Sequence, residues 1–353
     1  MSETVAAHNT RASLAGSSRR ELLSSVAALG ASALLPAQSG LAQNSGAVRK
    51  GKIDVHYHMG QRAVAGKERP ARRLNWTPEG AIEEMDRAGV AVGVLSSAAG
   101  GGLPQPRVWN ESAAQLVRDF PGRFGLFAAL NMPDTDGSLK EIEYATDVLK
   151  ADGFGMLTSF GELWLGDSKF RPVFEELNRR KAVVFVHPTD APCCRPAVMT
   201  YFKPPMSGPW IEWPMDTART IFSLMSSGTM REFRDIRFIF AHSGGVMPLL
   251  VGRIKGLAAD DEIGPETINR FFPDGVENEF KRCYFEIAQG FAPVNFEALR
   301  KLALDSHLLF GSDYPFYLPI TPTKGLAELN LPGDLQRAIE RDNAAALLPR
   351  WNT

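Results

Sequence analysis

Five residues of metal-binding types each lie at the end of a short apolar run. His56 and His58 stand at positions i and i+2, so in a β-strand both side chains point the same way. His187, His242 and Asp313 close three other apolar runs. Histidine nitrogens with a carboxylate oxygen suit Zn²⁺ or another borderline divalent ion. A single histidine is more often a core or surface residue, but such residues at four predicted strand ends favour one shared metal site.

The elements that must position these residues are short apolar runs alternating with helical patterns. The runs are Lys52–His56, Ala91–Ser96, Phe124–Leu130, Gly153–Thr158, Ala182–His187, Ile236–His242, Arg282–Ile287 and His307–Ser312. They are rich in Val, Ile and Phe and mostly lack polar alternation, which is typical of strands buried on both faces. The helical patterns begin at Thr77 and Asn110 and span Asp136–Lys150, Asp167–Arg180, Asp216–Ser227 and Pro293–Leu304.

Eight strand-helix repeats predict an α/β fold, a closed (β/α)8 TIM-like barrel. Barrel enzymes keep their chemistry at the C-terminal ends of the strands, where the five residues fall. A doubly wound open sheet is the alternative, but it leaves the placement of those residues unexplained.

The longest connection, residues 188–215, follows the fifth run and is rich in proline and aromatic residues such as Trp210. Long ordered loops of this kind often cover a pocket. We expect a proline-rich cap loop; a packing insert that covers one barrel end is the alternative.

Composition narrows the class of protein. The 353 residues are 44% hydrophobic, enough for a sizeable core. The formal net charge of −1 argues against a nucleic-acid partner, which would require a basic face or tail. Three cysteines are too few for a disulfide scaffold. These features fit a soluble enzyme or binding protein.

The first 42 residues predict a twin-arginine export signal. Arg19 and Arg20 precede an apolar run over Val26–Leu35, and small residues near Ala42 suit cleavage. The run is too short for stable membrane insertion. We expect a periplasmic or exported protein with a linker at 43–51 and the barrel at 52–353; a disordered N-terminus with a chance arginine pair is the alternative.

The motifs resemble those of the amidohydrolase superfamily. Longer stretches are similar to its aminocarboxymuconate-semialdehyde decarboxylase branch, and most of all to 6-methylsalicylate decarboxylases. They are Asn75-Trp76-Thr77-Pro78-Glu79, Phe185-Val186-His187-Pro188, Phe240–Gly245, Gly252-Arg253-Ile254, Gly311–Pro315, Met85–Gly89 and the loop from His187 to Cys194. The resemblance covers the chain from about residue 52 to the end.

The resemblance implies a mononuclear site, since the predicted fourth strand offers no lysine to bridge two metals. It implies that His56, His58, His187 and Asp313 bind one divalent ion, with zinc expected and manganese as the alternative. His242 matches a histidine that orients the water bound to the metal.

Substrate contacts are implied as well. An arginine upstream of Trp76 binds a substrate carboxylate in the decarboxylases, which points to Arg69, or to Arg72 or Arg73 with an offset. Arg253 matches an arginine that reaches into the neighbouring subunit's site, which implies a homodimer. We expect Trp210 and Phe291 to wall the substrate pocket.

The expected reaction is metal-dependent, non-oxidative decarboxylation of a small salicylate-type or conjugated carboxylic acid. Asp313 would protonate the ring carbon and CO₂ would leave, while His242 would orient or deprotonate water. The alternative is a mononuclear metallohydrolase of a small lactone, ester or amide. A non-enzymatic binding protein fits the complete ligand set poorly.

Overall fold

The structure is a computed structural model that describes residues 50–60, 76–97, 106–191, 193 and 208–352. The predicted export signal, nearly all of the linker, Arg69 and most of the cap loop lie outside the described residues. The predictions of an export signal, of periplasmic localisation and of a carboxylate contact by Arg69 therefore stay predictions.

Eight parallel strands lie side by side in chain order. They are β1 (Lys52–His58), β2 (Val90–Ser96), β3 (Phe124–Ala129), β4 (Gly153–Leu157), β5 (Val183–His187), β6 (Arg237–Phe240), β7 (Tyr284–Glu286) and β8 (Leu308–Leu309). The residues after β8 return to β1: Val55 N–H donates to Phe310 O at 3.0 Å, and Asp313 N–H donates to His56 O at 2.8 Å. The sheet thereby forms the predicted barrel.

A strand overlaps every predicted apolar run, although some strands begin or end at other residues than predicted. β1 continues to His58, so both histidines of the pair belong to one strand. β8 keeps only Leu308 and Leu309 of its predicted run, because the chain beyond them bends toward β1. β2, β3 and β5 are buried at every residue, as expected for strands covered on both faces.

Helices follow the strands. The α-helices are α1 (Pro78–Ala88), α2 (Pro106–Asp119), α3 (Thr135–Asp147), α4 (Arg171–Arg179), α5 (Glu212–Ser226), α6 (Thr229–Glu232), α7 (Met247–Gly256), α8 (Gly264–Phe271), α9 (Val276–Phe280), α10 (Pro293–Arg300), α11 (Ile320–Glu328), α12 (Gly333–Arg337) and α13 (Asn343–Leu347). A small antiparallel hairpin of Ser159–Phe160 and Leu163–Trp164 follows β4. Within the described residues, none of the helices combines the length and apolar character needed to cross a membrane.

Two helices begin four residues earlier than expected. α2 begins at Pro106 rather than Asn110, because proline suits a first helical turn whose N–H groups have no helical partner. α5 begins at Glu212 rather than Asp216 and takes Pro214 into its first turn. The last four residues of the predicted cap loop, 212–215, therefore belong to this helix.

Candidate metal centre

The predicted ligands converge at the C-terminal ends of the strands. The ligand atoms of His56, His58, His187 and Asp313 all lie within 4.8 Å of one another, and all four residues are buried. Asp313 Oδ1 lies 3.2 Å from Nε2 of both His56 and His58. The i, i+2 spacing on β1 therefore does place two imidazoles on the same point.

Each of these histidines, and His242, holds its Nδ1 proton on an acceptor. The acceptors are Glu286 Oε1 for His56 at 2.7 Å, Ser96 O for His58 at 3.0 Å, Pro188 O for His187 at 2.7 Å and Ala288 O for His242 at 3.3 Å. Carbonyl and carboxylate oxygens only accept, so these contacts assign the proton to Nδ1. Nε2 is then the atom that each ring presents to a metal ion, which is the arrangement that metal-binding histidines use.

The donor set fits a divalent ion. Nε2 of His187 is buried and has no hydrogen-bond partner among the described residues. A buried polar atom without a partner is costly, and a cation bound beside Asp313 would satisfy it. Three imidazole nitrogens and one carboxylate suit zinc or manganese better than calcium, which prefers oxygen ligands.

Glu286 contributes to the site but belongs to none of the sequence motifs. Its carboxylate is fully buried at the end of β7 and accepts from the backbone N–H groups of His242 and Ala288, both at 2.6 Å, besides His56. The available signal was a carboxylate near the end of a predicted strand whose preceding residues are Tyr284 and Phe285. It orients His56 and supplies a negative charge behind the site.

Burial and two carboxylates set the charges of the histidines at the site. Burial alone would lower the pKa of His56, but the carboxylates of Glu286 and Asp313 raise it to about 10. Burial lowers the pKa of His58 and holds that of His187 well below the ordinary value, so both are neutral near pH 7. Burial would raise the pKa of Asp313, yet the adjacent His56 holds it well below its usual range.

Asp54 ties β1 to the segment that carries Asp313. Its Oδ1 accepts from the backbone N–H of His56 and of Ser312, both at 3.0 Å. Complete burial raises the pKa of Asp54 to about 7. Asp54 thereby links the first strand of the barrel to the segment that follows the last strand, at the level of the candidate ligands.

The backbone around the site is strained. His242, Ser243, Gln289 and Asp313 have φ values of 54°, 58°, 56° and 63°, in the left-handed region that residues other than glycine rarely adopt. Such strain concentrates at functional sites, where surrounding contacts enforce it. One of those contacts joins Gln289 Nε2 to Asp313 Oδ2 at 2.8 Å, which leaves Asp313 Oδ1 for the ligand cluster.

A cavity of about 830 Å³ opens onto the cluster. His242, Gln289 and Asp313 contribute to its lining. Most of the other lining side chains are apolar: Pro209, Trp210, Ile211, Trp213, Pro214, Met215, Val246, Pro248, Leu249 and Phe316. Apolar walls around a few polar groups are typical of small-molecule sites.

Of the predicted substrate contacts that lie within the described residues, only one lines the cavity. Trp210 lines the cavity and is 71% exposed. Phe291 packs toward Gly325 on α11, because a Cβ added to Gly325 would meet its ring at 2.1 Å, and it is not among the described lining residues. Arg253 lies exposed on α7, whose first turn borders the cavity.

Two fungal decarboxylases are similar to this chain over most of its length. The decarboxylase yanB of Aspergillus niger is 31% identical over 329 residues, which cover 85% of this chain and 88% of the relative. The 6-methylsalicylic acid decarboxylase of Penicillium expansum is 32% identical over 321 residues, covering 85% of this chain and 96% of the relative.

A solved structure shares the fold. The dihydroxybenzoic acid decarboxylase of Polaromonas sp. JS666, with bound manganese and the inhibitor 2-nitroresorcinol, matches with a TM-score of 0.74 at 21% identity. The match covers 85% of this chain and 97% of that one. The family model described as amidohydrolase matches residues 53–350, which include the whole ligand cluster. The resemblance inferred from the motifs is thus confirmed, and the chain belongs to the amidohydrolase family.

Proposed function

We propose that this protein is a metal-dependent, non-oxidative decarboxylase of a small aromatic, salicylate-type acid. The observation that carries the proposal is the buried His₃Asp cluster at one end of an apolar cavity of about 830 Å³. The names of the relatives support this reaction over others that the fold could host. A cavity of this size accommodates a substituted benzoic acid.

The ligands of the ion are His56, His58, His187 and Asp313 in this proposal. We propose zinc, with manganese as the alternative because the Polaromonas enzyme binds manganese. A bound divalent ion supplies positive charge that holds and polarises oxygen atoms of the substrate.

Asp313 is placed to move a proton. Its carboxylate faces both the histidines and the cavity, and Gln289 fixes its orientation. A proton carried there can pass to the ring carbon that bears the carboxylate group. The carbon–carbon bond then breaks, its electron pair restores the aromatic ring, and CO₂ leaves.

His242 assists from the cavity wall. Its Nδ1 proton is held by Ala288 O, so Nε2 is the atom that accepts or returns a proton. Burial lowers the pKa of His242, which keeps the ring neutral and able to accept a proton near pH 7.

The test is CO₂ release by metal-loaded protein from a panel of salicylate-type acids, including 6-methylsalicylate. Asp313→Asn should reduce turnover at least about a hundredfold, the range for loss of a proton-transfer group. Asp334→Asn, on the exposed face of α12, is the matched control and should be unchanged. Absence of CO₂ release from the whole panel by loaded protein contradicts the proposal.

The same cluster would suit a mononuclear metallohydrolase, since His242 beside the ligands could activate water. A lactone, ester or amide panel run in parallel separates the two reactions. Ring opening or cleavage without CO₂ would favour the hydrolase.

We also propose that the active form is a homodimer. Trp210 and Leu249 line the cavity, yet they are 71% and 67% exposed, as expected of a mouth that a second copy covers. None of the described lining residues is a lysine or arginine. Arg253, one helical turn beyond Leu249, would supply a cation to the neighbouring copy's carboxylate substrate.

A further inference from the structure

A chain of buried hydrogen bonds leads from His187 to a carboxylate on α5. His187 Nδ1 donates to Pro188 O at 2.7 Å, and the N–H of Thr189 donates to Thr158 Oγ1 at 3.1 Å. The Thr158 hydroxyl in turn donates to Asp216 Oδ2. His187, Thr158 and Asp216 are each at most 2% exposed.

The link between the first two bonds is a single peptide group. Pro188 O and Thr189 N belong to the same planar unit, in which the C=O and N–H point in opposite directions. Rotation of this unit would break the bond to His187 and the bond to Thr158 together. The direction of the Pro188 carbonyl, and with it the plane of the imidazole, is therefore coupled to the Thr158 hydroxyl.

Asp216 fixes that hydroxyl. Its second oxygen, Oδ1, accepts from Trp164 Nε1 at 2.7 Å, so the carboxylate cannot turn away without losing a bond. The backbone contributes as well, since Thr158 N–H donates to His187 O at 3.0 Å. Because Thr158 must give its proton to Asp216, its lone pairs face Thr189.

We infer that Thr158, held by Asp216, is a positioning residue for the third ligand, His187. The inference rests on the proposed metal site, and it adds the hydrogen bonds that connect this site to Asp216 on α5. Its expected effect is on metal affinity, because an imidazole free to rotate presents Nε2 to the ion for only part of the time. Partners that orient metal ligands contribute about 10- to 100-fold in affinity.

The experiment compares Thr158→Val with Thr158→Ser in the full chain. Stripped protein is titrated with Mn²⁺ or Zn²⁺ against a chromophoric chelator, and the visible spectrum of the Co²⁺-loaded form is recorded. Thr158→Val, which keeps the shape but removes the hydroxyl, should weaken binding at least about tenfold and change the Co²⁺ spectrum. Thr158→Ser should restore binding to within about threefold of the parent.

Thr220→Val is the matched control. Thr220 is also fully buried in this cluster and donates its hydroxyl to Thr158 O at 2.9 Å, but it is not on the route to His187. Thr220→Val should lower the unfolding midpoint as Thr158→Val does, while leaving metal affinity within about twofold of the parent.

Equal loss of affinity in both valine variants would overturn the inference, as would parental affinity in Thr158→Val. If Thr158→Val does not fold, Asp216→Asn carries the same comparison, since an amide oxygen and nitrogen cannot accept from both Thr158 and Trp164. Failure of the parent protein to bind metal would instead refute the proposed site itself.

Discussion

The negative charge of Glu286 raises the pKa of His56 and so favours the protonated imidazole. Replacement by glutamine removes the charge and sets an amide N–H₂ against a backbone N–H or against His56 Nδ1. We expect Glu286→Gln to weaken metal binding about 10- to 100-fold, the usual cost of losing a partner that orients a ligand. Chelator competition measures this, with the exposed Glu297→Gln as control. Unchanged affinity would remove Glu286 from the site's support.

Protons and metal compete for His56. The pKa of His56 is raised from 6.5 to about 10, so in metal-free protein the ring is protonated throughout that interval. Binding of an ion displaces that proton, and apparent affinity should rise about tenfold per pH unit until pH 10. Titration with Mn²⁺ over this interval measures the slope. Metal affinity rises with pH because the raised pKa of His56 stabilises the metal-free, protonated form most strongly at low pH. A flat profile would contradict the assignment.

The segment after β8 approaches β7 so closely at Gly311 that no side chain fits between them. A Cβ on Gly311 would lie 2.0 Å from Glu286 Oε2 and 3.0 Å from the His56 Cβ. We expect Gly311→Ala to displace Glu286, to lower the unfolding midpoint and to weaken metal binding at least about tenfold.

The matched control for that substitution is Gly252→Ala. Gly252 lies within α7 and has nothing within 4 Å of an added Cβ, so alanine there should stabilise the helix by up to about 1 kcal/mol and spare the metal. Thermal unfolding and chelator competition on both variants provide the comparison. If Gly311→Ala binds metal as the parent does, the close approach is not required by the site.

In the proposed homodimer, each active site would combine Asp313 of one copy with Arg253 of the other. Asp313→Ala and Arg253→Ala would each inactivate their own homodimers. Mixed after reversible dissociation, they should recover about a quarter of parental activity, because half of the dimers are mixed and each has one intact site. Sedimentation would verify that dimers form. An active monomer, or no recovery on mixing, would contradict shared sites.

Much of the site could be predicted because strand and ligand signals are local. The pair His56 and His58 needs only the two-residue period of a strand, and Asp313 needs only its position after an apolar run. Glu286 could not be assigned in this way, since its partner His56 is 230 residues away. Gln289 and Asp54 were missed for the same reason: their contacts arise only when β1, β7 and β8 meet.

The order of the amino acids predicts the eight alternating strands and helices, the candidate ligands and the family, because side-chain direction within a strand or helix follows from local backbone geometry. Only the folded barrel shows which groups hold the candidate ligands in place. It placed Glu286 behind His56, turned Phe291 toward α11, and joined His187 to Asp216 through Thr158. Hydrogen-bond partners of buried groups depend on which strands become neighbours when the barrel closes, and residues far apart in the chain meet only then.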